Sequence, residues 1–160
     1  MKHIWAPWRM EYIANNDHKK ECIFCSALQQ EDGPENLVVY RNSQVFVILN
    51  RYPYSNGHLM VVPVSHQPSF EVLDLEIRHA LMDIMALSVE KIALVYSPEG
   101  FNVGANIGSA AGAGIIDHVH FHIVPRWAGD TNFMSSVGHT RVLPETLEDT
   151  YWRLRQAWQA

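Results

Sequence analysis

The chemistry in this chain concentrates in one short run, His118-Val119-His120-Phe121-His122-Ile123-Val124. Side chains on a strand alternate between its two faces. His118, His120 and His122 therefore share one face, while Val119, Phe121 and Ile123 bury the other. Neighbouring imidazoles stand about 6.5 Å apart along such a strand, close enough to act on one ligand. An amphipathic strand with a merely solvated polar face is the plain alternative, but serine and threonine usually fill that role. A row of imidazoles can ligate a metal. A neutral imidazole can also attack phosphorus, so that one hard displacement becomes two easier ones through a phosphohistidine-type intermediate. Three histidines allow both uses at once.

Cys22 and Cys25 have the C-x2-C spacing of a zinc knuckle. Two more ligands are needed; His66 is a candidate, with one histidine of the triple as the fourth. The cysteines could instead be two small buried hydrophobes. His58, inside an apolar stretch, reads as a core histidine or a site residue. The segment from Gly104 to Gly114 is rich in small residues. It lacks the Gly-Lys-Ser/Thr end of a phosphate-binding P-loop and does not open a helix. Glycines such as Gly108, Gly112 and Gly114 let backbone amides approach a phosphate as an anion nest. Asn50 and Asn102 are candidates for ribose or phosphate contacts, or are turn residues. Arg126 and Trp127 follow the histidine run directly, and Trp127 could stack on a base. Asp117 alternates onto the face opposite His118, so it is not a catalytic acid.

Those residues need a scaffold, and the composition supports one. The 160 residues are 48% hydrophobic and 18% charged, which excludes a disordered chain and suggests a single domain over residues 1–160. A net charge of −5 without a basic stripe argues against duplex nucleic acid as a partner. No apolar run reaches the length of a membrane span, and the first residues lack the apolar block of a signal peptide. A cytoplasmic protein that does not engage a membrane is the expectation.

Along the chain, residues 1–20 form an N-terminal extension in which Trp5, Trp8 and Tyr12 could pack as one apolar face. One or two helical turns follow Cys25 and end at Gly33-Pro34. Strands are predicted over 37–40, 45–49 and 58–63, from β-branched and aromatic runs bounded by turn residues. Phe70, Leu73, Ile77, Leu81, Ile84, Leu87 and Val95 recur at helical spacing, so one long helix is predicted over 69–96 with Ser69 as its N-cap. Strands at 101–103 and 115–125 come next. Residues 126–160 form a tail, irregular to about 143, with a helix over 145–158. Strands, one long helix and more strands imply an α+β fold with a mainly antiparallel sheet.

The pattern His118-x-His120-x-His122 resembles the signature of the histidine triad family of nucleotidyl hydrolases and transferases. Cys22-Ile23-Phe24-Cys25 is similar to that family's N-terminal cysteine pair. Asn50, Gly57-His58, Val62-Pro63-x-x-His66 and Asn102-Val103-Gly104 resemble its other landmarks, so the likeness spans most of the chain. The resemblance implies a fold of that type, with the long helix packed on the sheet and a C-terminal helix, and a homodimer. It implies that His120 is the nucleophile, that His122 contacts the phosphate and assists the leaving group, and that His58 holds the nucleophile's ring. It implies structural zinc on Cys22, Cys25, His66 and His118. It departs at Gly114, where relatives tend to carry a polar side chain; this shifts phosphate contacts toward backbone amides. Trp5-Ala6-Pro7-Trp8-Arg9-Met10 and Pro125-Arg126-Trp127-x-Gly129-Asp130-x-Asn132-Phe133 resemble a narrower bacterial branch, usually described as diadenosine tetraphosphate phosphorylases. The implied substrate is a dinucleoside polyphosphate cleaved at the α-phosphate, with phosphorolysis favoured over hydrolysis. A nucleoside phosphoramidate hydrolase and a non-catalytic zinc-containing nucleotide-binding protein are the rival readings.

Overall fold

The structure is a computed structural model and describes residues 21–131, 137 and 143–160. The aromatic face of Trp5, Trp8 and Tyr12, and Asn132-Phe133 of the branch motif, lie outside the described residues. The described residues open with helix α1 (Ile23–Leu28). Strands β1 (Val38–Arg41), β2 (Val45–Leu49) and β3 (Leu59–Pro63) follow. Next come helix α2 (Leu75–Tyr96), strands β4 (Gly100–Gly104) and β5 (Phe121–Arg126), and helix α3 (Leu147–Gln159). The strands form one sheet in the order β1-β2-β3-β5-β4, antiparallel at every pairing. The α+β fold class and the antiparallel sheet agree with the sequence reading.

Local chemistry accounts for most element boundaries. The β1–β2 turn closes where the Asn42 side-chain oxygen accepts from the amides of Gln44 and Val45, an asparagine-driven turn. Every residue of β2 and β3 is buried, so these central strands read as continuous apolar runs. Helix α2 packs on β2, β3 and β5, and α3 packs on α2 and β1. Val45, Val47, Leu59, Val61, Ile92, Ile123 and Leu154 are completely enclosed. Each such side chain contributes about 1.5–3 kcal/mol by leaving water.

Three boundaries differ from expectation. Helix α1 starts at Cys22, its N-cap, rather than after Cys25. The long helix does not begin at Ser69. A short 3-10 turn spans Phe70–Val72, Leu73 is extended, and α2 starts behind Asp74. The Ser69 hydroxyl bonds the Glu71 carboxylate instead of capping a helix, and Leu73 reaches the core from extended backbone. Strand β5 begins at Phe121, not at 115, because its ladder partners run out: β3 pairs as far as Val61↔Phe121 and β4 as far as Gly104↔His122. Before that point the Val119 amide donates to the Gln67 carbonyl (2.7 Å) and helps to tie the chain down.

Candidate active site

The site is built where the approach to β5 passes α1 and the entry to β3. His118 and His120 lie just before β5 and His122 lies in it. His58 immediately precedes β3. His58 and His118 are fully buried and His120 is 4% exposed.

The hydrogen bonds assign the imidazole protons. His120 Nδ1 lies 2.9 Å from the His118 carbonyl, which can only accept. Nδ1 therefore carries the proton, and Nε2 carries the lone pair. Burial pushes the His120 pKa down, which favours that neutral form. The backbone N–H of Tyr54 donates to His58 Nδ1 (3.1 Å), so neutral His58 holds its proton on Nε2. His58 Nε2 faces His122 Nδ1 at 3.0 Å and donates to it. His122 thus presents a protonated Nε2. The rings of His120 and His122 are 5.0 Å apart and nearly perpendicular. A lone-pair nitrogen and an N–H donor stand side by side, a pairing that could serve attack on phosphorus with departure of an oxyanion.

Cys22, Cys25, His66 and His118 bring four ligand atoms within 4.8 Å of one another. His118 Nδ1 is 3.4 Å from Cys22 Sγ and 3.7 Å from Cys25 Sγ, and His66 Nδ1 is 3.2 Å from Cys25 Sγ. His118 donates from Nε2 to the Pro63 carbonyl at 2.8 Å, which aims Nδ1 at the thiols. Burial pushes its pKa down to about 4, so the ring is neutral and able to ligate. Two thiols and two imidazoles fit a tetrahedral metal centre, and the bond to Pro63 supplies the outer support such ligands use. The four could hold a metal ion.

On the other side of His122 lies a cleft of about 390 Å³. Tyr54, Asn102, Asn106, His122, Arg126 and Asp130 contribute to its lining. Arg126 donates to the Asp130 carboxylate through Nε and through Nη2 (3.0 Å), and through Nη1 to Asn102 Oδ1 at 2.6 Å. The Arg126 hydrogen bonds hold the Asp130 carboxyl down at about 2. Asn102 and Arg126 thus form one rim with Asp130. Trp127 is half-buried and is not among the residues lining this cleft. Asn50 sits against His58, with Nδ2 3.5 Å from Nε2, while its Oδ1 accepts from the Tyr52 amide at 2.9 Å. Gly108 and Gly112 adopt φ of +78° and +81° around the turn Ser109–Ala111, conformations that favour glycine. Gly114 follows on the way to His118, and Asp117 is exposed.

Several residues at the site carried no signal in the sequence. Phe24 packs on both His118 and His120, and Tyr54 supplies the amide that orients His58 and lays its ring 4.8 Å from that imidazole. Asn106 and Asp130 line the cleft, and their places in the glycine-rich loop and the Pro125–Phe133 motif were the available hints.

Three alternate histidines running into β5, the last of them bonded to a fourth at the entry to β3, are the arrangement of the histidine triad class of proteins. The HIT domain model matches residues 33–129, and the chain belongs to that family. It is 39% identical over 166 residues to a Mycobacterium tuberculosis protein named AP-4-A phosphorylase, covering 99% of this chain and 85% of that one. Among solved structures, a hypothetical histidine triad nucleotide-binding protein from Sulfolobus tokodaii superposes with a TM-score of 0.70 at 28% identity, covering 86% of this chain and 92% of that one. A Zn-bound histidine triad family protein from Mycobacterium smegmatis gives 0.69 at 24% identity, covering 87% and 94%, and shares the fold.

Proposed function

We propose that this protein cleaves dinucleoside polyphosphates at an α-phosphate through a nucleotidyl-histidine, with diadenosine tetraphosphate the favoured substrate and inorganic phosphate the favoured acceptor. The observation that carries the mechanism is the bond from His120 Nδ1 to the His118 carbonyl, which leaves Nε2 as the lone-pair nitrogen. Nε2 attacks the α-phosphorus; the N–P bond forms as the bridging P–O bond breaks. His122 Nε2–H donates a hydrogen bond to the bridging oxygen as the nucleoside triphosphate departs with the bond's electron pair, and His58 holds that ring in place through the 3.0 Å bond. Amides of the loop holding Gly108, Gly112 and Gly114 neutralise the phosphoryl oxygens. An oxygen of the acceptor then attacks phosphorus and the N–P bond breaks, releasing a nucleoside diphosphate with phosphate or a monophosphate with water. Asn50, Asn102, Arg126 and Trp127 are the proposed nucleotide contacts. The overall likeness to the mycobacterial phosphorylase supports the substrate and the acceptor.

Zinc is the metal proposed for Cys22, Cys25, His66 and His118, where it would fix α1 to the chain before β5 and take no part in the chemical step. We place the enzyme in the cytoplasm, where the thiols stay reduced for ligation. Among the described residues no helix is long and apolar enough to cross a membrane. A homodimer is proposed on two surfaces. Leu75, Met82, Ala86 and Ala93 align as an exposed stripe along α2, and among the described residues β4 is an edge strand, with Val103 51% exposed.

Turnover of diadenosine tetraphosphate with and without phosphate tests this reading. Adenosine diphosphate and triphosphate formed only with phosphate are expected; monophosphate formed without phosphate would make the enzyme a hydrolase, and no turnover would remove the activity.

A further inference from the structure

Phe24 stands between the two cysteines of the metal cluster, one residue into α1 from its N-terminal end. Its ring is 1% exposed. It meets the His118 ring edge-on at 5.4 Å and the His120 ring at 4.9 Å, tilted by 50°. Phe46 buttresses it at 6.4 Å. The His120 imidazole is tied to the His118 carbonyl through Nδ1. One hydrogen bond at one ring atom leaves the tilt of the ring soft, because the outer torsion of a histidine has broad minima. A flat, buried ring laid against the imidazole removes that freedom. Attack on phosphorus depends on the direction of the Nε2 lone pair, so ring tilt is a catalytic variable.

We propose that Phe24 is a positioning residue that couples the metal cluster to the tilt of His120. Ligation at Cys22 and Cys25 fixes the backbone on both sides of Phe24, and ligation at His118 fixes the second ring that Phe24 touches. The metal thereby acts on the nucleophile through an aromatic contact, without touching substrate. This inference rests on His120 being the nucleophile.

The test uses the zinc-loaded full chain with 15N-labelled histidine. The Nδ1–H signal of His120, assigned by its loss in His120→Asn, reports the ring's hold on the His118 carbonyl independently of turnover. Phe24→Leu, or Phe24→Met should the leucine variant not fold, keeps its zinc and a cooperative melt. It exchanges that proton about tenfold faster, loses roughly ten- to a hundredfold in kcat and changes KM by less than about threefold. Phe46→Leu, an equal truncation at an equally buried neighbour that reaches His120 only by way of Phe24, changes exchange and kcat less than Phe24→Leu does. Chelating the metal from the wild type accelerates the same exchange. Unchanged exchange in Phe24→Leu, or equal losses in Phe46→Leu, would overturn the proposal. Faster exchange with undiminished kcat would instead remove His120 from the chemistry, which separates failure of the coupling from failure of the mechanism.

Discussion

His58 Nε2 and His122 Nδ1 stand 3.0 Å apart where the entry to β3 meets β5. With the Tyr54 amide on His58 Nδ1, the contact runs in one direction, from amide to His58 to His122. His58→Ala removes the donor that sets the His122 tautomer and should lower kcat by about a hundredfold. Because the two rings act as a unit, the double variant with His122→Ala should be no worse than His122→Ala alone to within about threefold. Steady-state kinetics of the cycle checks this; losses that multiply would mean the rings act independently.

Metal analysis addresses the cysteine cluster. The purified full chain should carry about one equivalent of zinc, and Cys22→Ser or chelation should lower the melting midpoint by roughly 10 °C. A metal-free protein with an unaltered midpoint would contradict structural ligation by Cys22, Cys25, His66 and His118.

Glu145 ties α3 to the end of α2. It accepts from the Tyr96 hydroxyl, from Arg153 Nη1 (2.6 Å) and from Thr150 Oγ1 (2.9 Å), and Arg153 lies 4.7 Å over the Tyr96 ring. Burial raises the Glu145 pKa, but these donors outweigh it and hold the net value below the usual carboxylate range. A depressed native-state value adds stability above the unfolded pKa, and that stability is lost as the pH falls through the native value. Glu145→Gln should therefore cost about 1–2 kcal/mol at neutral pH. The gap in melting midpoint from the wild type should hold above the ordinary glutamate range and close as the pH falls through the depressed native value. A gap independent of pH would show that the ionised carboxylate is not what matters.

The dimer proposal predicts a mass near twice the chain's in sedimentation or light scattering, and Met82→Glu should shift it toward the monomer. That side chain is 64% exposed on α2, so the charge has room in an isolated chain and none in a packed apolar interface. A monomeric wild type would remove the proposal.

Much of the site was legible because its signals are local. The i, i+2 spacing marks His118, His120 and His122 as one group, although only His122 lies in β5, and C-x2-C marks a candidate metal pair in four residues. The turn at Asn42 and the cap at Thr146, whose hydroxyl accepts from the Asp149 amide, are local too. What escaped depends on the far end of the chain. Phe24 reads as an apolar filler until the fold lays it against His120. The Pro63 and His118 carbonyls that orient two imidazoles have no sequence signature. Apolar spacing also carried the long helix back to Ser69, because Leu73 is buried whether or not its backbone is helical. At Gly57 the reason for glycine appears only in three dimensions: φ is +76°, and an added Cβ would stand 3.0 Å from the Tyr96 ring.

The central claim is a covalent bond between His120 Nε2 and the α-phosphorus. The direct measurement is acid-free quenching of the enzyme during turnover of diadenosine tetraphosphate, followed by peptide mass spectrometry. An adenylyl group on the peptide containing His120, present in the wild type and missing in His120→Asn, is the predicted result. An adenylyl group on another residue, or none on a protein that is turning over under the quench conditions, would contradict it.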